Sequence, residues 1–204
     1  MSIQVRPYQL DDLSAVVALN NLMEPEYPQT ETEFRWGEEN REARIRHARW
    51  VALCGEELVG VGVYGQSAGM YHPTRFYVEV GVQPDKRSQG IGGALYNTVT
   101  GALEEFEPTV LCTCVRETRP ESLQFVARRG YLETMREWES RLDVTAFDPE
   151  PFEEHQDRFA AGGIQIRTVA ELESDPDRNE KLYHLENALE EDVPSVYAAT
   201  PDIS

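Results

Sequence analysis

Glycines cluster at Gly90, Gly92 and Gly93, directly after a short loop that contains Lys86 and Arg87. A strand-like run leads into this loop, and a helical pattern follows it. The first amides of a helix have no partner within the helix and carry the positive end of its dipole. Without side chains in the way, an anion can approach these amides closely. Each glycine otherwise costs roughly 0.5–1 kcal/mol of helix stability, so the cluster predicts a diphosphate site.

Two other phosphate-binding motifs fit this segment less well. A P-loop continues with Gly-Lys-Ser/Thr, whereas Ala94 and Leu95 follow Gly93 here. A dinucleotide-binding fingerprint that began at Gly90 would need Gly or Ala at position 95. That fingerprint also normally follows the first strand of its domain, whereas several predicted strands and helices precede this segment.

The segment resembles motif A of the GNAT acetyltransferase superfamily, whose signature is Arg/Gln-x-x-Gly-x-Gly/Ala. Arg87, Gly90 and Gly92 match that signature, and Val82–Asp85 is similar to the strand end that precedes it in the family. Further along, Ser122–Tyr131 resembles the family's second signature, which ends in Gly-Phe or Gly-Tyr.

This resemblance covers about residues 3–145 and implies that the co-substrate is acetyl-CoA. It implies that the backbone of Val80 and Val82 pairs with the pantetheine arm, at a point where this strand diverges from the next. It also implies that an amine attacks the acetyl group directly, without a covalent enzyme intermediate. The residues implied to bind the diphosphate through their backbone are Arg87, Ser88, Gln89, Gly90, Gly92 and Gly93.

Glu79 is the best candidate for the general base, because an attacking amine must lose a proton and Glu79 lies on the strand of motif A. A strand glutamate that merely pairs with a nearby arginine explains it equally well. Glu24, Glu26 and Tyr27 follow the first predicted helix, in a loop that borders the acceptor site in this family. They could attract a cationic amine, or they could simply be solvated.

The tyrosine that often protonates the departing thiolate in this family is missing. It lies four residues before the Gly of the second signature, where this chain has Val126. Two functions therefore stay open. The first is an N-acetyltransferase for a primary amine of a small molecule or peptide. The second is a catalytically weak CoA-binding or regulatory module of a tandem acetyltransferase.

The hydrophobic pattern predicts an α/β domain with the element order βααβββαβαβ. The resemblance implies a mixed, mostly antiparallel central sheet with helices on both faces. The predicted strands cover residues 3–8, 50–54, 58–64, 75–82, 110–115 and 131–144. The predicted helices begin near Asp11 and cover residues 30–47, 90–105 and 119–129.

A second, incomplete copy of the domain is predicted after the first. Ile164–Arg167 repeats the pattern of Ile3–Arg6, and Glu191–Pro194 resembles Glu24–Pro28. Chance is the alternative explanation, because the matches are short. The predicted domains are residues 1–146, a linking helix over residues 147–163, and the start of a second GNAT-like copy over residues 164–204.

The composition limits the classes of partner that this protein is expected to bind. A formal net charge of −18 over 204 residues disfavours nucleic acid and anionic membranes, which select clustered Lys and Arg. No apolar run is long enough to span a membrane, and we expect a cytoplasmic protein. Cys112 and Cys114 are interpreted as small buried residues, and no metal site is expected because the histidines are scattered. The acidic C-terminal segment makes a homodimer an open possibility.

Overall fold

The computed structural model describes residues 3–190, and its backbone divides into two compact units between Tyr131 and Leu132. The strands are β1 Ile3–Pro7, β2 Ala48–Cys54, β3 Glu57–Gly65, β4 Arg75–Val82 and β5 Val110–Cys112. The helices are α1 Leu13–Met23, α2 Glu31–Glu39, α3 Ile91–Leu103, α4 Pro120–Ala127, α5 Glu150–Ala161 and α6 Arg178–Glu190. No helix in the described part of the chain is long and apolar enough to cross a bilayer.

The first unit contains one five-stranded sheet in the order β1-β2-β3-β4-β5. The first four strands are antiparallel neighbours, whereas β5 is parallel to β4. The strands predicted over residues 50–54 and 58–64 form the hairpin of β2 and β3, and Gly55 adopts the left-handed φ of 65° in its turn. A sheet that is mostly antiparallel, with one parallel edge strand, agrees with the mixed sheet expected from the sequence.

Helices cover both faces of this sheet. On one face, α1 and α2 bury Val16, Val17 and Phe34 against Val51 and Val61 of the sheet. On the other face, α3 packs against the sheet through fully buried residues of its inner stripe, Ile91, Leu95, Val99 and Leu103. The predicted two-sided architecture is therefore confirmed.

Strand β4 presents alternate residues to the two helical layers, because side chains along a strand point to opposite faces. Phe76 and Val78 lie in the core beneath α3. Tyr77 packs on the opposite core, beneath α1. Glu79 shares the face of Tyr77, and the strand therefore places a carboxylate on the side opposite α3.

Helix α2 begins as predicted but is shorter than predicted. Thr30 caps it, with its Oγ1 accepting from the Glu33 amide while the Glu33 carboxylate accepts from the Thr30 amide. The helix ends at Glu39 instead of near His47, and the Asn40 side chain donates to the Trp36 carbonyl at its end. Phe34 is its one buried residue, so few apolar contacts support a longer helix.

The predicted closing strand over residues 131–144 is wrong for the described structure, in which residues 131–143 form no regular element. Most of its apolar side chains are exposed, including Leu132 at 82% and Trp138 at 92%. Strand β5 is also shorter than the predicted residues 110–115. An alternating pattern forms a strand only where a neighbouring strand satisfies its backbone groups, and these residues have no ladder partner in the described part of the chain.

In the second unit, α5 covers Glu150–Ala161, within the segment 147–163 in which a linking helix is predicted. The strand predicted at Ile164–Arg167 is wrong, because these residues form no strand and both isoleucines are exposed. A 3₁₀ turn at Ala170–Leu172 and helix α6 follow, and this order is similar to that of the 3₁₀ turn at Leu10–Asp12 and α1.

The interpretation of residues 164–204 as a second copy stays a prediction, as do the boundaries at residues 1–146 and 147–163. Its further support, the similarity of Glu191–Pro194 to Glu24–Pro28, lies outside the described residues.

Candidate active site

The glycine cluster lies where β4 passes into α3. Strand β4 ends at Val82, a 3₁₀ turn covers Pro84–Lys86, and α3 begins at Ile91. Between them, Ser88 and Gly90 adopt left-handed φ values of 60° and 86°. A left-handed residue other than glycine costs of order 1 kcal/mol or more and is concentrated at ligand sites.

The amides at the start of α3 are available to an anion. The Ala94 amide donates to the Gly90 carbonyl at 3.0 Å and is the first in the helix to find a partner one turn back. The amides of Ile91, Gly92 and Gly93 therefore have no such partner. Consecutive free amides beside left-handed residues form a concave anion-binding surface, so the predicted diphosphate site fits the structure. The individual binding roles stay predictions.

The two basic side chains of this loop are already engaged. Arg87 donates from Nε to the Val82 carbonyl at 3.2 Å and from Nη1 to the Glu121 carboxylate at 3.1 Å. Lys86 Nζ lies 3.5 Å from a Glu57 oxygen and 3.8 Å from an Asp85 oxygen. Their charges are therefore largely compensated.

An opening lies between β4 and β5. The two strands pair only at Arg75–Tyr77 with Val110–Cys112, and β4 continues to Val82 without β5 beside it. The Gln83 amide donates to a carbonyl of β3. Successive residues of a strand direct their backbone groups alternately to one neighbouring strand and to the other side. Val80 and Val82 therefore direct their backbone groups away from β3, toward this opening, as expected for residues that pair with an extended ligand.

Glu79 lies beside this opening, on the face opposite α3. Its side chain is exposed, yet the surrounding protein desolvates it in part and raises the pKa of its carboxyl. The charge of Arg49 acts in the opposite direction and lowers that pKa by a smaller amount. Val63 pairs with both Arg49 and Glu79 in the sheet, so the arginine lies two strands from the glutamate on the same face.

Sequence reasoning missed the polar cluster around Glu79. Arg49 stacks on the rings of Tyr8 and Phe34, and its Nη1 lies 3.2 Å from a Glu38 oxygen. Burial and the charges of nearby arginines lower the pKa of His47 to about 4, so that this imidazole is neutral at pH 7. The alternation of β2 could have placed Arg49 on one face, but the pairing register needed to bring it near Glu79 is not readable from one sequence.

The loop after α1 is held by arginines. Arg116 contacts Glu24 at 2.8 Å and Glu26 at 2.9 Å, and its guanidinium lies over the Tyr27 ring. Arg119 contacts Glu24 at 2.6 Å and donates to the Met23 carbonyl. These glutamates are therefore largely neutralised, and attraction of a cationic amine by them has little support.

No tyrosine takes the place of Val126 within helix α4. Tyr96, which contacts Phe125 of this helix, pairs with another phenol instead, since its hydroxyl lies 3.4 Å from that of Tyr131. Burial raises the pKa of Tyr131, which makes it a weaker proton donor. Among the described residues, no cluster of three or more His, Cys, Asp or Glu side chains could hold a metal ion.

Comparison with known proteins places this geometry in a family. The model of the acetyltransferase (GNAT) family matches residues 16–131, more than half of the chain. The match includes β4, the glycine-rich start of α3 and all of α4. No curated protein matches the sequence significantly.

Several solved structures share the fold. A transcriptional regulator from Bacillus halodurans C-125 is 19% identical, with a TM-score of 0.56 over 69% of this chain and 100% of that one. AAC(6')-Iy in complex with a CoA-based bisubstrate analog is 17% identical, with a TM-score of 0.56 over 71% of this chain and 100% of that one.

The aminoglycoside acetyltransferase meta-AAC0020 from an uncultured soil metagenomic sample is 17% identical, with a TM-score of 0.55 over 69% of this chain and 97% of that one. At these identities the likeness establishes the fold alone. The family match establishes more, because it covers the segment with the chemistry: this chain belongs to the GNAT family of acetyltransferases, whose co-substrate is acetyl-CoA.

Proposed function

We propose that this protein is an N-acetyltransferase that moves the acetyl group of acetyl-CoA to a primary amine of a small molecule or peptide. The observation that carries the proposal is the position of Glu79. A carboxylate with a raised pKa lies next to the opening between β4 and β5, within the strand that leads to the anion-binding amides. A base beside a thioester site is what amine acetylation requires.

Binding of acetyl-CoA follows from the backbone of this segment. The diphosphate would accept hydrogen bonds from amides between Arg87 and Gly93, at the positive end of α3. The pantetheine arm would lie along β4 and exchange hydrogen bonds with Val80 and Val82, as an added strand does. This register brings the thioester to the opening, where the side chain of Glu79 is accessible.

The chemical step is direct attack by the amine. A protonated amine has no lone pair to donate, so a proton must first leave for Glu79, either directly or through one water molecule. The amine nitrogen then bonds to the acetyl carbonyl carbon, and the bond from that carbon to sulfur breaks to release the CoA thiolate. The nitrogen gives up its second proton, to solvent or to that thiolate, as the neutral amide forms. With Val126 at the usual tyrosine position, we assign no side chain to the protonation of that thiolate.

The class of acceptor is inferred from charge and from the structural neighbours. Two of the similar structures, AAC(6')-Iy and meta-AAC0020, are aminoglycoside acetyltransferases, and polyamine sugars are cationic. The net charge of −18 favours the approach of cations over anions. We therefore infer a cationic small molecule or peptide with a primary amine.

One alternative function is a CoA-binding module with weak catalysis. The observation that favours it is Val126, which lies where the family often has a tyrosine that protonates the thiolate. The test separates the two functions by measuring binding and turnover independently. Isothermal titration with acetyl-CoA gives the affinity, and release of free thiol over a panel of aminoglycosides, polyamines and lysine peptides gives the turnover. Tight binding with no thiol release above the amine-free background would support the module.

For the enzyme, we expect Glu79→Gln to retain CoA affinity and to lose thiol release by about 10²-fold or more. Glu56→Gln, in the exposed turn of the β2–β3 hairpin, is the matched control and should retain both. If Glu79→Gln turned over as fast as the unchanged protein, the assignment of the base would fail.

A further inference from the structure

The charge of this protein poses a problem for its co-substrate. CoA carries a diphosphate and a 3′-phosphate, whereas the chain carries a net charge of −18. The two cations of the loop before α3, Lys86 and Arg87, are paired with carboxylates. A side chain with an uncompensated positive charge near the start of α3 would therefore matter more here than in a basic protein.

Arg129 lies in this position. It follows helix α4, and its Nη2 lies 3.6 Å from the point where a Cβ on Gly93 would be. Gly93 belongs to the first turn of α3, whose amides form the candidate diphosphate site. The guanidinium is thus brought to the head of α3 by a residue that lies far along the chain.

The Arg129 guanidinium is oriented before any ligand arrives. Its Nη1 donates to the Phe125 carbonyl at 2.9 Å. The guanidinium carbon, Cζ, lies 3.4 Å from the centre of the Phe125 ring and 4.7 Å from the centre of the Tyr96 ring. Stacking on aromatic rings restricts the rotamers of arginine while leaving other N–H groups free to donate. Little conformational entropy would then be lost on binding.

Arg129 also differs from other arginines of the first unit in its ion pairs. Among the side chains that the structure describes, no carboxylate forms an ion pair with it, whereas Arg87, Arg116 and Arg119 are all paired with glutamates. A planar guanidinium with free donors is the side chain best suited to phosphate oxygens. The aromatic contacts account for its orientation, and they leave its charge uncompensated.

We propose that Arg129 binds a phosphate group of the nucleotide half of CoA. This inference rests on the proposed binding of CoA at the start of α3 and adds the side chain that supplies positive charge there. The diphosphate and the 3′-phosphate present the same oxygen chemistry, and both lie on the nucleotide half of the molecule. Comparison of CoA with dephospho-CoA distinguishes the two phosphate groups.

The test is isothermal titration of the full-length chain with CoA and with dephospho-CoA, which lacks the 3′-phosphate. We expect Arg129→Gln to weaken CoA binding by about tenfold or more, as loss of one charge-assisted hydrogen bond does. An equal loss with both ligands assigns Arg129 to the diphosphate, and a loss with CoA alone assigns it to the 3′-phosphate. The adjacent exposed Arg128→Gln is the matched control and should change neither affinity by more than about twofold.

Two further measurements separate a phosphate contact from a structural one. Arg129→Lys keeps the charge and should recover part of the affinity. Acetyl-pantetheine has no phosphate, so its KM in the thiol-release assay should be the same with Arg129→Gln. Unchanged CoA affinity in Arg129→Gln, or an equal loss with acetyl-pantetheine, would overturn the inference. If the unchanged protein bound no CoA, the proposed function itself would fail, which is a different outcome.

Discussion

Glu79 and Arg49 form the most informative pair at the scale of single residues. A carboxyl with a raised pKa is protonated over a wider range of acidic pH than an ordinary glutamate, and only its ionised form can accept the amine proton. Partial desolvation raises the pKa of Glu79, and Arg49 limits that rise. The proposed base is thus exposed to solvent while its pKa is still shifted by the surrounding protein.

The pH dependence follows directly from this pair. We expect kcat/KM for the amine to fall as the pH drops through the raised pKa of Glu79, because the base becomes protonated. Arg49→Gln removes the effect that lowers this pKa, and the acidic limb should move to higher pH. Arg49→Lys keeps the positive charge and serves as the control. An acidic limb at the same pH in Arg49→Gln would contradict the assignment of Glu79 as the base.

Gly90 and Gly101 provide a matched comparison of two glycines in open space. Gly90 has a φ of 86° and Gly101 lies within α3, and a Cβ on either would meet nothing within 4 Å. Gly90→Ala should destabilise the fold by roughly 1 kcal/mol or more, because of its left-handed backbone. Gly101→Ala should stabilise it by about 0.5–1 kcal/mol. Urea unfolding of both variants checks the two signs.

The same two variants should differ in CoA binding. Gly90→Ala perturbs the amides at the head of α3 and should weaken the affinity for CoA, whereas Gly101→Ala should leave it unchanged. Equal affinity in both variants would mean that the backbone conformation at Gly90 has no role in binding.

At the scale of elements, Arg87 connects the end of β4 to the start of α4. Its guanidinium bonds to the Val82 carbonyl, a group that the proposed function gives to the pantetheine arm, and to Glu121. CoA binding would therefore require this side chain to rearrange. The contact would then couple the position of α4 to the binding of CoA.

Removing Glu121 tests this coupling. Glu121→Gln releases Arg87 from its ion pair and removes a negative charge near the diphosphate site, so CoA should bind more tightly, by about two- to fivefold for an exposed pair. Glu104→Gln, exposed beyond the other end of α3, removes the same charge at a distance and should have a smaller effect. Weaker binding in Glu121→Gln would show that the ion pair supports the site instead of competing with the ligand.

Some of these strands and helices can be predicted from the sequence, and others cannot. Strand β4 and the start of α3 were predicted because alternation and glycine placement are local signals. The strand predicted over residues 131–144 has the same alternation and does not form, since a strand also needs an edge to pair with. Arg49 and Arg129 were missed for a related reason, because their importance depends on contacts with residues distant in sequence.

At the scale of the whole molecule, every group that the proposed function uses lies in the first unit. The sheet, both helical layers, Glu79 and the anion-binding amides all belong to residues before Leu132. The second unit contains α5 and α6 and no residue assigned to the reaction. The tandem arrangement, the homodimer and the cytoplasmic location stay predictions from the sequence.

A chain ending at residue 146 therefore should bind CoA with an affinity within about twofold of the full chain. The reason is that each group assigned to binding is positioned by the first unit. Isothermal titration of both chains, with circular dichroism to confirm that the shorter one folds, provides the measurement. A folded short chain without CoA affinity would place part of the site after residue 146. Comparing the masses of the two chains in solution also tests whether the acidic C-terminal segment forms a dimer.

In the proposed function, free amides at the head of α3 bind the CoA diphosphate, and nuclear magnetic resonance can observe those amides one by one. During a titration with CoA, we expect the largest amide proton shifts between Ser88 and Gly93, in the direction of stronger hydrogen bonding. Dephospho-CoA should produce the same shifts, because it keeps the diphosphate. If the protein became saturated with CoA while these amide signals did not shift, the amides would not be the groups that bind the diphosphate.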